Sequence, residues 1–294
     1  MSKKRIATTF ATLVAVLTMI WLDEANADSS GSIAEVQIAP VQVAVFQDEG
    51  VGPSANDLIE TLLKGQEEQF QIQRLSGEQI REGGLNGIDV LIHPGGSGSK
   101  QGRALGEAGR ECVTEFVRAG GGFLGVCGGC YLATNDYAWS LGLVDARCLD
   151  RMHWARGAGT VTLQLSPSAT RFFGNTENKV EIYYGQGPLL VRPEWDDDAV
   201  PDYESLAIYA SEIAKKDAPK GVMKGTSAIV RAHFGSGRVV CFSPHPELTD
   251  GLGHWVPRVV NWLTPRRDVH AIETKPTNVD IPNRSPAKSP GSDG

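Results

Sequence analysis

Residues 123–133 read FLGVCGGCYLA and join an apolar, strand-like run to a turn rich in glycine. Within this stretch, residues 125–129 fit the pattern G-x-nucleophile-x-G of a nucleophile elbow, with Cys127 at its centre. Such an elbow is a sharp turn between a strand and a helix that holds the central side chain exposed and strained. We therefore predict a strand that ends before Cys127 and a helix that begins after it, whose N-terminus favours a thiolate.

Strand-like and helix-like segments alternate four times up to this elbow and just beyond it. The predicted strands are 41–46, 70–75, 88–96 and 122–126; the helix-like segments are 56–65 with Ser54 as N-cap, 76–85, 106–122 and a helix that starts at the elbow. This alternation is typical of a parallel sheet covered by helices on both faces. We predict an α/β fold with a flavodoxin-like, doubly wound, mostly parallel sheet.

After residue 160 the sequence changes to short strand-like runs separated by turns. A hairpin pattern surrounds the GSG at 235–237, and the helix-like run GHWVPRVVNWL follows it. We predict a small antiparallel extension of the sheet over residues 160–235. The whole pattern indicates one domain over residues 39–265.

The two ends of the chain have a different composition. Basic residues at positions 3–5 precede the apolar run IATTFATLVAVLTMIWL, and Ala-Asn-Ala follows at 25–27, as in a secretory signal peptide. We predict cleavage after Ala27, export to the periplasm or the extracellular space, and no stable membrane insertion afterwards; the alternative is an uncleaved anchor. Residues 28–38 are predicted to be a flexible lead-in, and residues 266–294, poor in apolar side chains, a disordered tail.

Charge and cysteine content exclude two classes of protein. The 294-residue chain has a net charge of −7 and no basic cluster beyond positions 3–5, so we predict no nucleic-acid partner. Its five cysteines are too few and odd in number for a disulfide framework. At least one thiol is therefore expected to be free or to pair with another molecule.

His245 and Glu247 are the best partners for Cys127. They lie in CFSPHPELTD, directly after a strand-like run. By contrast, no acidic residue lies at a useful spacing from four of the other histidines: His153, His233, His254 and His270. His93 ends the predicted strand 88–96 beside the glycine loop. Pro246 favours an extended conformation at His245, and residues two apart in an extended chain share a face. We predict that the Glu247 carboxylate orients the His245 imidazole, which acts as the base for Cys127.

The elbow cysteine, the loop PGGSG at 94–98 and the late HPE together resemble the class I glutamine amidotransferase superfamily. The resemblance extends over residues 41–264. It implies a triad of Cys127, His245 and Glu247. It also implies an oxyanion hole formed by the N–H groups of Gly128 and of the glycine loop, at Gly96.

The segments GVCGGCYLA, RFFG, EIYYGQGPLL and GRVVCFSPHPEL are more similar to the biotin–protein ligase N-terminal-like domains. Tyr131 occupies the position at which glutaminases of the superfamily carry a Gln that packs around glutamine. We expect Tyr131, Tyr184 and Gln186 to contact the substrate. The predicted function is that of a cysteine-nucleophile hydrolase or transferase acting on a small-molecule or peptide amide, with no cofactor and no metal.

Two other interpretations of this sequence remain open. In the first, the chain is a non-catalytic small-molecule binding module that keeps the elbow. In the second, Cys127 and Cys130 form a C-x-x-C redox pair. As a zinc site the pair lacks a second pair of ligands at regular spacing, which argues against metal binding. The complete set of nucleophile, base and orienting carboxylate favours the enzyme over the binding module.

Overall fold

The computed structural model describes residues 39–194 and 199–264. The predicted signal peptide, lead-in and C-terminal tail lie outside the described residues. The described strands are β1 Val41–Phe46, β2 Phe70–Leu75, β3 Val90–His93, β4 Gly122–Val126, β5 Arg147–Leu149, β6 Gly159–Leu165, β7 Lys179–Tyr184, β8 Leu189–Val191, β9 Glu204–Tyr209, β10 Ser227–Phe234 and β11 Gly237–Phe242. The described α-helices are α1 Ser54–Leu63, α2 Gly77–Arg81, α3 Gly98–Arg118, α4 Gly128–Ala133, α5 Pro167–Phe173 and α6 Trp255–Leu263.

Five neighbouring strands, in the order β2-β1-β3-β4-β11, form the parallel half of the sheet. Strands β3, β4 and β11 are buried almost along their whole length, as expected for strands covered on both faces. In their register His93 lies beside Gly125, and Val126 lies beside Phe242. The loops that follow these three strands therefore leave the sheet at one edge, where sites in such sheets are found.

The antiparallel half of the same sheet continues from β11 through β10, β9, β6 and β7, and the short strands β5 and β8 pair beside it. The predicted α/β sheet with an antiparallel extension is confirmed. The extension is larger than predicted, since it contains more strands than the parallel half among the described residues. Both halves contribute to one large apolar cluster on one face of the sheet and to a second cluster on the other.

Two helix predictions need correction, and one helix was missed. Ser54 is the first residue inside α1 rather than its N-cap. Helix α3 begins at Gly98, where the Ser97 side chain caps it, and a kink at Gly106 (φ 66°) separates its first turns from the segment predicted at 106–122. Helix α5 was not predicted, although Ser166 caps it, Pro167 opens it and Gly174 in the left-handed region closes it.

No helix among the described residues is both long and apolar enough to cross a bilayer.

Candidate active site

Cys127 lies in a sharp turn between β4 and α4. Its backbone has φ 50° and ψ −96°, a conformation that non-glycine residues rarely adopt. The turn needs glycine on both sides because a Cβ at Gly125 would lie 2.5 Å from the Gly129 carbonyl oxygen, and one at Gly129 would lie 2.0 Å from that of His93. The Cys127 N–H donates to the Phe242 carbonyl at 2.7 Å, which fixes the turn to β11. This is the geometry of a nucleophile elbow.

The helix after the elbow is shorter than the sequence indicates. Helix α4 has 6 residues and ends at Ala133. A helix this short has a small macrodipole, so the predicted support of a thiolate by the helix N-terminus is weak. Any stabilisation of a Cys127 thiolate must come mainly from the side chains around it.

His245 follows β11 in an extended conformation, with φ −115° and ψ 92°, as its position before Pro246 predicts. Its N–H donates to the Tyr183 carbonyl at 2.9 Å, which ties it to the end of β7. Residues Pro246–Leu248 then form a 3-10 turn. The Oε1 atom of Glu247 reaches Nδ1 of His245 at 2.7 Å through this turn, not along an extended strand as the sequence argument assumed.

The imidazole of His245 is held between two glycines. A Cβ at Gly95 would lie 2.8 Å from the His245 Cε1 atom, and one at Gly185 would lie 2.6 Å from Nε2. The Sγ atom of Cys127 contacts the Gly185 carbonyl oxygen at 3.6 Å, so the sulfur and Nε2 approach the same residue. The Cys127 thiol lies close enough to the His245 imidazole to interact with it electrostatically. The structure thus brings Cys127, His245 and Glu247 together.

Electrostatics at His245 favour the imidazolium. Burial lowers the pKa of the imidazole, but its interaction with Cys127, the hydrogen bond that Nδ1 donates to the Glu247 carboxylate and the charges of both groups outweigh burial and raise the pKa to about 10. The Glu247 side chain is fully buried, and its Oε2 atom has no hydrogen-bond partner among the described residues. A buried carboxylate that bonds only the imidazole is suited to hold it in one orientation.

The glycine loop after β3 lies against the elbow. Gly96 has φ 127°, and a Cβ there would lie 2.1 Å from the Gly50 carbonyl oxygen, so only glycine fits. A Cβ at Gly128 would lie 2.6 Å from the Gly96 carbonyl oxygen, so the two backbones are in direct contact. In the described part of the chain, neither the Gly96 N–H nor the Gly128 N–H has a hydrogen-bond acceptor. Both groups are available to an oxyanion.

A buried polar network fixes this loop from below. The Gln101 Oε1 atom lies 3.0 Å from Nδ1 of His93, and its Nε2 donates to the Pro94 carbonyl at 3.0 Å. The Gly129 N–H donates to the same carbonyl at 3.2 Å. The His93 ring stacks on Phe46, and its burial lowers the pKa to about 4. Sequence reasoning noticed His93 but not Gln101, which bonds both His93 and Pro94 where the loop begins.

A cavity of about 720 Å³ opens over Cys127. Tyr131 and Gln186 line it, and the Tyr131 hydroxyl donates to the Gln186 carbonyl at 3.4 Å. Tyr184 does not line the cavity. It is fully buried, and its hydroxyl donates to the Gly187 carbonyl. Because side chains alternate along a strand, Tyr183 faces His245 instead, with ring centroids 5.9 Å apart.

Sequence reasoning missed most of the cavity wall. The remaining lining residues are Ser97, Gly98, Ser99, Tyr137, Trp139, Arg151, Met152, Trp154 and Gly185, besides Gly96 and Cys127. The signal that marks part of this wall is RMHWARG at 151–157, where Met and Trp occur in a polar loop. His153 in this loop pairs with Asp150 (Nδ1–Oδ1 2.5 Å), so the view that it has no acidic partner is wrong.

All five cysteines are free thiols. Cys130 is fully buried, and burial raises its pKa well above the usual value. No group of three or more His, Cys, Asp or Glu residues within 39–194 and 199–264 is arranged to hold a metal ion. The expectations of no metal and no cofactor stay predictions.

Comparisons with known proteins place the chain among its relatives. The family model described as "Biotin-protein ligase, N terminal" matches residues 41–149 and 151–261. The phosphoribosylformylglycinamidine synthase subunit PurQ of Prochlorococcus marinus is 27% identical over 172 residues, covering 55% of this chain and 72% of that protein. Among solved structures, PurLQS from Thermotoga maritima has a TM-score of 0.50 at 17% identity (76% of this chain, 96% of that one). A ThuA-like protein from Bacteroides uniformis has a TM-score of 0.54 at 14% identity (79% and 95%). At these identities the two structures show the fold alone.

Proposed function

We propose that this chain, which belongs to the biotin–protein ligase N-terminal family, is a hydrolase or transferase of amides or related acyl compounds that uses Cys127 as its nucleophile. The observation that carries the proposal is the placement of Cys127 and His245 against the same residue, Gly185, with His245 bonded to Glu247, beneath an open cavity. The class I glutamine amidotransferase-like fold of the chain is compatible with such a site.

The proposed reaction begins with the Cys127 thiolate paired with the His245 imidazolium. The sulfur attacks the carbonyl carbon of the amide and forms a C–S bond, and the carbonyl electron pair moves to the oxygen. As this intermediate collapses, the C–N bond breaks and the proton on His245 passes to the leaving amine. Water, or a second amine, then releases the acyl group from the thioester, with His245 as the base.

The negative charge that develops on the carbonyl oxygen needs nearby donors. The N–H groups of Gly96 and Gly128 have no acceptor in the described part of the chain and lie on backbones in direct contact. We assign them to the oxyanion hole because fixed backbone donors stabilise such a charge without rearrangement.

Two observations favour this proposal over its rivals. A binding module has no need of a carboxylate, fully buried and bonded to the imidazole, behind a strained cysteine. In a redox pair the second thiol must form a thiolate to attack its partner, and burial raises the pKa of Cys130 well above its usual value.

The direct test is covalent trapping. The mature protein is treated with p-nitrophenyl acetate, and the acyl-enzyme is detected by intact mass and peptide mapping. We expect one acetyl group on Cys127 and none in Cys127→Ala. Acetylation that is spread over other side chains, or that survives the Cys127→Ala change, would contradict the proposal.

The same proposal includes export. It is supported by the basic, apolar and Ala-Asn-Ala segments of residues 3–27, which lie outside the described residues. N-terminal sequencing of protein recovered from its native host is expected to begin at Asp28. A start at Met1 or Ser2 would contradict cleavage.

A further inference from the structure

We infer that the acyl site accepts an aromatic or apolar acyl group and not free glutamine. This inference rests on the proposed function and adds the class of substrate. It starts from the cavity wall beside Gly98, which four aromatic side chains line: Tyr131, Tyr137, Trp139 and Trp154. Tyr137 and Trp139 stack with ring centroids 4.4 Å apart, and Tyr131 meets Tyr137 edge to face at 6.3 Å. A wall of packed rings favours flat or apolar groups.

The charges of the cavity do not suit a free amino acid. Among the described residues that line it, Arg151 is the single charged side chain and none is acidic. The α-ammonium group of glutamine would therefore lose water without gaining a carboxylate partner. Arg151 is itself engaged, since its guanidinium lies 4.1 Å from the centroid of the Tyr137 ring and 3.4 Å from Asp136 Oδ1.

An apolar ridge extends the cavity outward. Met152 and Trp154 are 87% and 59% exposed, the highest exposures among the large apolar side chains of the described residues. Both line the mouth of the cavity over Cys127. Exposed apolar side chains that adjoin a cavity mark a binding surface. A substrate whose carbonyl lies at Cys127 can therefore place an apolar acyl group against this ridge.

The ridge is held in place by a buried ion pair. Met152 belongs to the 3-10 turn Arg151–His153, and Asp150 precedes it with φ 58°. The Asp150 carboxylate bonds His153 on this turn and Arg156, which is almost fully buried. The exposed side chains thus stand on an anchored turn, as a binding surface requires.

The test compares p-nitrophenyl phenylacetate with p-nitrophenyl acetate. Acylation of Cys127 is followed by the p-nitrophenolate burst, and each rate is divided by that of the same ester with a small free thiol. We expect the corrected rate to be at least tenfold higher for phenylacetate. Phenylacetamide is expected to protect Cys127 from iodoacetamide, and L-glutamine is not.

Variants locate the preference on the ridge. Trp154→Ala and Met152→Ala should each lower the ratio of phenylacetyl to acetyl rates, because each removes apolar surface from the mouth. Ile208→Ala, an exposed apolar residue on β9 that does not line the cavity, should leave both rates unchanged.

The outcomes separate the two proposals. No acylation of Cys127 by either ester would contradict the proposed function. Acetylation of Cys127 with equal corrected rates for the two esters, a ratio unchanged by Trp154→Ala, or protection by glutamine would overturn this inference and leave the proposed function standing.

Discussion

Nδ1 of His245 and Oε1 of Glu247 lie 2.7 Å apart, and Pro246 is the single residue between them. The carboxylate is fully buried, so its interaction with the imidazole is shielded from water. The same imidazole interacts electrostatically with Cys127. This short segment therefore couples a buried charge to the proposed nucleophile.

Glu247→Gln is expected to slow iodoacetamide alkylation of Cys127 near pH 6. The amide has no charge to stabilise the imidazolium, so the pKa of His245 should fall and less thiolate be paired with it. A hydrogen bond to a charged group contributes about 1.5–3 kcal/mol, which corresponds to roughly tenfold or more in rate. Glu60→Gln, an exposed change on α1, is the control. An unchanged rate in Glu247→Gln would show that the carboxylate does not act through His245.

Gly185→Ala is expected to displace the His245 ring, because the added Cβ would lie 2.6 Å from Nε2. Alkylation of Cys127 should fall while the fold is retained, as judged by circular dichroism. Gly109→Ala in α3, where the new Cβ meets side chains at 3.3–3.5 Å, is the matched control. If Gly185→Ala keeps the wild-type rate, the imidazole is not held as described.

Gln101→Met distinguishes the role of the glycine loop that contains Gly96 from the role of the Cys127 thiolate. Loss of the Gln101 amide removes the hydrogen bond to the Pro94 carbonyl and should shift the Gly96 N–H. Alkylation by iodoacetamide needs no oxyanion hole, whereas acylation by an ester does. We expect acylation of Cys127 to slow by about tenfold and alkylation to stay unchanged. The expected decrease in the acylation rate is smaller than that caused by removing an oxyanion-hole donor outright. Equal changes in the two rates would indicate a general structural role for Gln101.

Stability should pass through a maximum near pH 6.5, the usual pKa of histidine. The pKa of His93 is lowered to about 4 by burial, so the unfolded chain binds the proton more readily and stability rises from pH 4 to pH 6.5. The pKa of His245 is raised to about 10, so its contribution is complete below pH 6.5 and is lost as the pH rises to 10. Urea unfolding across this range measures both limbs.

Histidine variants assign the two limbs of that curve. His93→Gln should flatten the acid limb and His245→Gln the alkaline limb, whereas His233→Gln, an exposed control, should leave both slopes unchanged. Slopes that do not respond to either buried histidine would contradict the assignment.

The sequence predicts the elbow and the parallel half of the sheet because local patterns determine both. Strands β1, β2 and β4 have the predicted bounds, and the glycines around Cys127 mark a turn without room for side chains. The cavity wall was harder to predict. Trp139 and Trp154 come from separate loops, and only tertiary packing brings them to one cavity.

Tyr184 shows a second limit of prediction from the sequence. Adjacent strand residues point to opposite faces, and the sequence YY does not say which tyrosine faces the core. The pairing of β7 with β6 and the bond from His245 N–H to the Tyr183 carbonyl decide this, and neither follows from the two tyrosines themselves.

The central claim is that His245 activates Cys127, and the most direct measurement is the rate of iodoacetamide labelling of each cysteine near pH 6, resolved by peptide mass. An ordinary thiol, with a pKa of about 8.5, is almost wholly protonated there. We predict that Cys127 reacts faster than Cys112, Cys148 and Cys241, that His245→Ala slows Cys127 alone, and that Cys130→Ser leaves its rate unchanged. Equal labelling of the accessible cysteines, unaffected by His245→Ala, would contradict the account.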